Sequence, residues 1–151
     1  GAFYHHFEDK TALFDAVVVA LQKQAAAEVA SAPPRDIAIW DKLFTRIAAY
    51  LDVCLDPTYA RIVVKEAPAV LGETRFREIE EAYPMALLSA SLRALQERGE
   101  IEVDDVLLLT RMVDAMICKL SLVLLEPDAG VHQREEGLRL IRALLETVRR
   151  R

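Results

Sequence analysis

Tyr4, His5 and His6, followed at Lys10 by a cation, place hydrogen-bonding side chains close together at the start of this sequence. A phenol, two imidazoles and an ammonium group can all donate to an oxyanion, and the imidazoles can also accept. His5 and His6 with Glu8 and Asp9 also hold metal-ligating atoms. Adjacent helical residues point about 100° apart, so both rings do not easily reach one ion, and no metal site is expected. His132, near a helix start, reads as a solvated residue. The chain has no nucleophile elbow, phosphate loop, HExxH or CxxC, so neither an enzyme nor a cofactor is expected.

A short helix must position the first of these groups. Phe3 and Phe7 are four apart and share one helical face, which leaves Tyr4, His5 and His6 to project elsewhere. The helix ends at Glu8-Asp9, where Asp9 can accept from the free N–H groups of a new helix, apolar at Leu13, Phe14, Val17, Val18 and Leu21. That helix thins into alanines and runs out at Ser31-Ala32-Pro33-Pro34, a turn that cannot continue it. The sequence therefore divides into 1–30, with a helix end at 1–7 and a connecting helix at 9–30, and a body at 35–151.

Gly1-x-Phe3-Tyr4-x-His6-Phe7-x-Asp9-Lys10-x-x-Leu13 closely resembles the end of the helix-turn-helix in TetR-type transcriptional regulators, where the recognition helix passes into the regulatory body. The resemblance implies that Tyr4, His5 and His6 touch operator phosphates or bases and that Lys10 touches a phosphate. Such groups are ordinary phosphate donors. Further on, Asp56-Pro57-x-Tyr59-x-Arg61-Ile62-Val63 and Glu66-Ala67-Pro68-Ala69-Val70-Leu71-Gly72 resemble a branch of the same family, in the right order. A groove-reading helix needs a bracing helix, and the family supplies two before it. None precedes Gly1 here, so 1–30 reads as a remnant of the DNA-binding domain, and the chain as written is not expected to hold operator DNA.

Composition fits a single globular domain: 151 residues, 53% of them hydrophobic and 28% charged, enough for one sizeable core. The net charge of -5 argues against nucleic-acid binding through the bulk of the surface, because that binding draws on counterions displaced by Lys and Arg. Cys54 and Cys118 are too few and too far apart in sequence for a disulfide scaffold, so reduced thiols in a cytoplasmic protein are expected. The most apolar run, Val103 to Leu125, is broken by Asp104, Asp105, Arg111, Asp114 and Lys119, which argues against a membrane span.

Glycine and proline are scarce and helical periodicity runs nearly throughout, so the fold is expected to be all-α. In the body, Asp36 offers a cap for a helix through Trp40, Leu43, Phe44, Ile47, Leu51 and Cys54. Asp56-Pro57 then starts a short helix that Pro68 is expected to end. A helix from Glu73 to about Arg98 contains Pro84, where a kink or break is expected, and Gly99 stops it.

Two C-terminal helices follow. In the first, Thr110, Arg111, Asp114, Cys118 and Ser121 fall in one narrow arc and apolar residues cover the rest. One stripe can pack inside its own protomer, and the remainder needs either a ligand cavity or a second chain. The final helix, 131–149, has Gly137 on its apolar face, where another backbone can come close. A homodimer is therefore expected, as the resemblance also implies, through Val113, Ile117, Leu120 and Leu124 with Gly137, Leu138, Ile141, Leu144, Leu145 and Val148. Arg149, Arg150 and Arg151 read as cations favourable to the end of that helix.

Family members bind a small effector between the middle helices. The residues here that could line such a space are Trp40, Phe44, Tyr50, Cys54, Arg61, Val64, Phe76, Tyr83, Met112 and Met116, a set suited to a mostly apolar molecule with one or two polar groups. Arg61 or Lys119, if turned inward, would favour an anion. The reading is a DNA-binding repressor released from its operator by an unidentified effector. The alternative is a ligand-free helical dimerisation module.

Overall fold

The structure, a computed structural model, describes residues 9–150. The expectations for Tyr4, His5 and His6 lie outside that range. Among the described residues the protein is all-α, with one isolated antiparallel bridge between Ile101 and Arg149.

Helix α1 spans Lys10–Ser31, and Asp9 caps it by accepting from the Ala12 N–H at 2.7 Å. Helix α2, Ile39–Leu55, starts later than expected: its N-cap is Ala38 without a side-chain bond, and Asp36 lies in the preceding turn. Asp56 does cap the next element, accepting from the Thr58 and Tyr59 N–H groups, with Pro57 at the first helical position.

The following stretch corrects the sequence reading. Helix α3, Pro57–Tyr59, runs directly into a π-type segment, Ala60–Glu66, and then into α4, Ala67–Leu71. Pro68 does not end this run. The Ala67 N–H reaches back five residues to the Ile62 carbonyl, and Pro68 falls in the first turn of α4, where no N–H is required. The stop is Gly72, at φ 79° and ψ 159°, a conformation open in practice only to glycine.

Helix α5 is Glu73–Ala82 and α6 is Pro84–Glu97, separated at Tyr83 by the expected proline break. Gly99, at φ 70°, closes α6 as its Glu100 neighbour donates to the Leu95 carbonyl in the usual left-handed stop. Helix α7 is Val106–Leu124, capped by Asp105, and α8 is Val131–Glu146. The last helix therefore ends before the arginines. Arg149 lies over the Trp40 ring and Arg150 pairs with Glu102, so neither serves as the helix-end cation that the sequence suggests.

The main core joins α2, α6, α7 and α8 through Leu43, Leu51, Leu92, Val113, Ile117 and Leu145. A second cluster, Val18, Ala67 and Ile79 with Phe14 and Tyr83 beside it, fastens α1 to α4 and α5. No helix among the described residues is long and apolar enough to cross a membrane.

Candidate functional site

Helices α2, α5 and α7 and the run 57–71 line a partly open cavity of about 270 Å³. Four of the ten expected lining residues contribute to it: Tyr50, Cys54, Val64 and Phe76. Tyr59, Val63 and Pro68 join them from the continuous 57–71 run, and Glu80, Asp114 and Cys118 from α5 and α7.

The other six are placed elsewhere. Trp40 and Phe44 meet edge to face at 5.3 Å, and both are covered by the C-terminal end of the chain. Arg149 lies 4.5 Å from the Trp40 ring centre and Arg142 lies 3.9 Å from that of Phe44. Tyr83 sits at the α5–α6 break, with the Lys23 ammonium over its ring. Met116 packs against the main core, while Arg61 is exposed and Met112 is 47% exposed. Lys119 is exposed as well. No cation therefore turns inward from either position named for an anion, and the cavity has the opposite polarity.

The polar arc of α7 faces the inside of the protein. Thr110, Asp114 and Ser121 are buried. The two hydroxyls are satisfied along the helix, Thr110 donating to the Val106 carbonyl and Ser121 to that of Cys118. Among the described residues the Asp114 side chain accepts only from the Cys118 thiol, at 3.9 Å. Glu80, Asp114 and Cys118 offer ligand atoms within 4.8 Å of one another. Burial, reinforced by Asp114, pushes the Glu80 carboxyl up to about 8, and burial lifts Asp114 to about 6. Both thiols are also pushed up by burial, Cys54 to about 12. They keep their protons at neutral pH and are poor nucleophiles.

Tyr59 connects the cavity to α1. Its hydroxyl donates to Oε1 of Gln22 at 2.7 Å, a buried bond, and Gln22 Nε2 has no partner among the described residues. On the far side, Arg75 of α5 grips Asp15 of α1 through two bonds, at 2.5 and 2.9 Å. A larger hollow of about 620 Å³ lies between α1 and α2, but Gln24, Glu28, Asp52 and Asp56 on its rim are all exposed, which makes it a solvated groove.

The residues assigned to a dimer interface divide in two. Val113, Ile117, Ile141 and Leu145 are at most 1% exposed within the single chain and have no surface to offer a partner. Gly137 admits Leu120 of the same chain, since a Cβ there would come within 2.5 Å of its methyl groups. Leu120, Leu124, Leu138, Leu144 and Val148 are half-buried against the main core. The outward stripe of α7 is Leu108, Met112, Ala115, Lys119 and Leu122, with Leu140 of α8 exposed as well. Periodicity showed the excess of apolar surface on α7 without showing which side of it was turned outward.

Comparison with known proteins bears on the fold and the family. The family model described as "Tetracyclin repressor-like, C-terminal domain" matches residues 40–148. No curated protein matches the sequence. A regulatory protein in the TetR family from Rhodococcus RHA1 shares 20% identity, over 98% of this chain and 78% of that one, with a TM-score of 0.73. A putative TetR-family regulator from Shewanella sp. PV-4 shares 12%, over 100% and 81%, at 0.77. A TetR-family regulator from Pectobacterium atrosepticum shares 23%, over 100% and 77%, at 0.72.

Proposed function

The chain belongs to the TetR family of transcriptional regulators. From that premise we propose that it is the effector-binding and dimerising part of a DNA-binding repressor, with the 270 Å³ cavity as the effector site. The observation that carries this reading is the buried bond from Tyr59 to Gln22. One end belongs to the cavity wall and the other to α1, the helix that resembles the connection out of a recognition helix.

An effector that moves Tyr59 removes a donor from a glutamine that already has one unpartnered group. A buried polar group left unpaired costs about 1–3 kcal/mol, comparable to the coupling of about 1–3 kcal/mol that an allosteric switch requires. The Arg75–Asp15 pair gives α1 a second anchor on α5, so both anchors sit on elements that form the cavity. A tilt of α1 would alter the separation of two recognition helices, which must match half-sites about 34 Å apart.

In this reading 1–30 belongs to the DNA-binding domain. Tyr4, His5 and His6 face the operator, and Lys10, exposed in the first turn of α1, meets a phosphate. The homodimer forms through the outward stripe of α7 and Leu140, with Leu120, Leu124, Leu138, Leu144 and Val148 contributing their exposed edges and Gly137 setting the α7–α8 spacing beneath. The protein works in the cytoplasm.

An operator gel shift on the full-length regulator tests the coupling. With effector added, the unmodified protein leaves DNA, whereas Gln22→Leu still binds effector but stays on the operator. Undiminished release in that variant would remove Gln22 from the mechanism.

A further inference from the structure

We infer that the effector is a compact organic cation, its positive centre held between Glu80 and Asp114 and its apolar part against Tyr50, Tyr59 and Phe76. The inference rests on the effector reading above and adds the chemical class.

Asp114 is 8% exposed and lines the cavity, yet its carboxylate receives no N–H or O–H donor, only the long contact from the Cys118 thiol. Glu80 lines the same space from α5. Among the described residues neither carboxylate has an ion pair. Arg77 pairs with Glu73, Arg75 with Asp15 and Arg111 with Glu81, and Arg46, which lines a neighbouring hollow with Asp114, donates to the Ser91 hydroxyl instead. A buried and a half-buried carboxylate side by side without a cation are costly to ionise. The compensating charge is missing among the described residues and fits a ligand that brings its own.

The surroundings favour an organic cation over a metal ion. The space is far larger than one ion, and Tyr50, Tyr59 and Phe76 are among its lining residues, rings of the kind that attract a desolvated cation. The sulfur beside the two carboxylates, Cys118, keeps its proton, raised by burial and by Asp114 and Glu80, and is not a ready thiolate ligand. A volume of about 270 Å³ sits just below the range of drug-sized sites, so the ligand is about the size of a single-ring amine. An ammonium group has three donors to divide between two carboxylates.

Calorimetric titration of the full chain tests this with four probes: phenethylamine, the neutral 2-phenylethanol, the anionic 3-phenylpropanoate, and zinc chloride. Phenethylamine should bind about tenfold or more tighter than the alcohol, the difference a charged hydrogen bond makes, and the propanoate should not bind. Asp114→Asn and Glu80→Gln should each weaken phenethylamine about tenfold or more and so abolish its preference over the alcohol. Because each amide keeps the shape of the acid, a variant that melts cooperatively reports on charge alone, and either one suffices. Equal or tighter binding of the alcohol or the propanoate would overturn the cationic class while leaving the cavity as the effector site. Zinc binding that Asp114→Asn removes, without amine binding, would overturn it in favour of a metal. Silence from all four would overturn both the class and the effector reading.

Discussion

Burial raises the Asp114 carboxyl from 3.8 to about 6, and burial together with Asp114 raises Glu80 from 4.5 to about 8. Both rises mean that the folded protein holds protons the unfolded chain has released. Stability contributed by these groups is therefore complete at acid pH and is lost as pH rises from about 4 towards about 8. Asp114→Asn should flatten that decline and at pH 8 should gain on the order of 2 kcal/mol, measured by urea denaturation across pH; an unchanged slope would refute the buried-acid account. Tyr59→Phe should act in the other direction. It removes the donor to Gln22 Oε1 and should cost about 1–2 kcal/mol in the same assay. The sequence showed Asp114 and Cys118 in a polar arc, but such arcs normally face water, and only the packing of α7 reveals that this one faces inward. Glu80 was not legible at all, because it sits in the run Glu78-Ile79-Glu80-Glu81, which reads as a solvated surface.

Caps and stops written in single residues were legible: Asp9, Asp56 with Pro57, the break at Pro84 and the stop at Gly99 all hold. The run 57–71 was not, because a proline normally ends a helix and the π-type widening that accommodates Pro68 leaves no mark in apolar spacing. The difference has a functional consequence, since the continuous run brings Tyr59, Val63, Val64 and Pro68 to one cavity wall. Gly72 fixes where that run turns into α5. A Cβ would meet nothing within 4 Å there, so the cost of Gly72→Ala is conformational alone, about 1–3 kcal/mol. Chemical denaturation would read it, and a loss below about 0.5 kcal/mol would mean that the turn relaxes freely. Trp40 and Phe44 were misassigned to the cavity for a related reason. Helical spacing places them on an inward face of α2 without showing that the chain end, through Arg142 and Arg149, is what they meet.

The all-α fold followed from composition and periodicity, whereas which apolar residues stay at the surface of α7 and α8 did not. Val113, Ile117, Ile141 and Leu145 are the most apolar choices, and the core takes them first. What remains outward on α7 is a stripe with Leu108 at 56% and Met112 at 47% exposure, an arrangement that a solitary protomer leaves in water at some risk of aggregation. Leu108→Asp with Met112→Asp should give a folded monomer by light scattering, with helicity unchanged by circular dichroism; a persistent dimer would place the contact elsewhere. Ala115 and Leu122 occupy that outward stripe and also touch the cavity. In the proposed assembly an effector in the cavity and a sister chain on α7 would share two side chains, and any change that one makes in the affinity of the other is reciprocal. Titrations run at dilute and at concentrated protein should consequently give different half-saturation points, so the sensitivity of the switch would depend on how much of the regulator a cell contains.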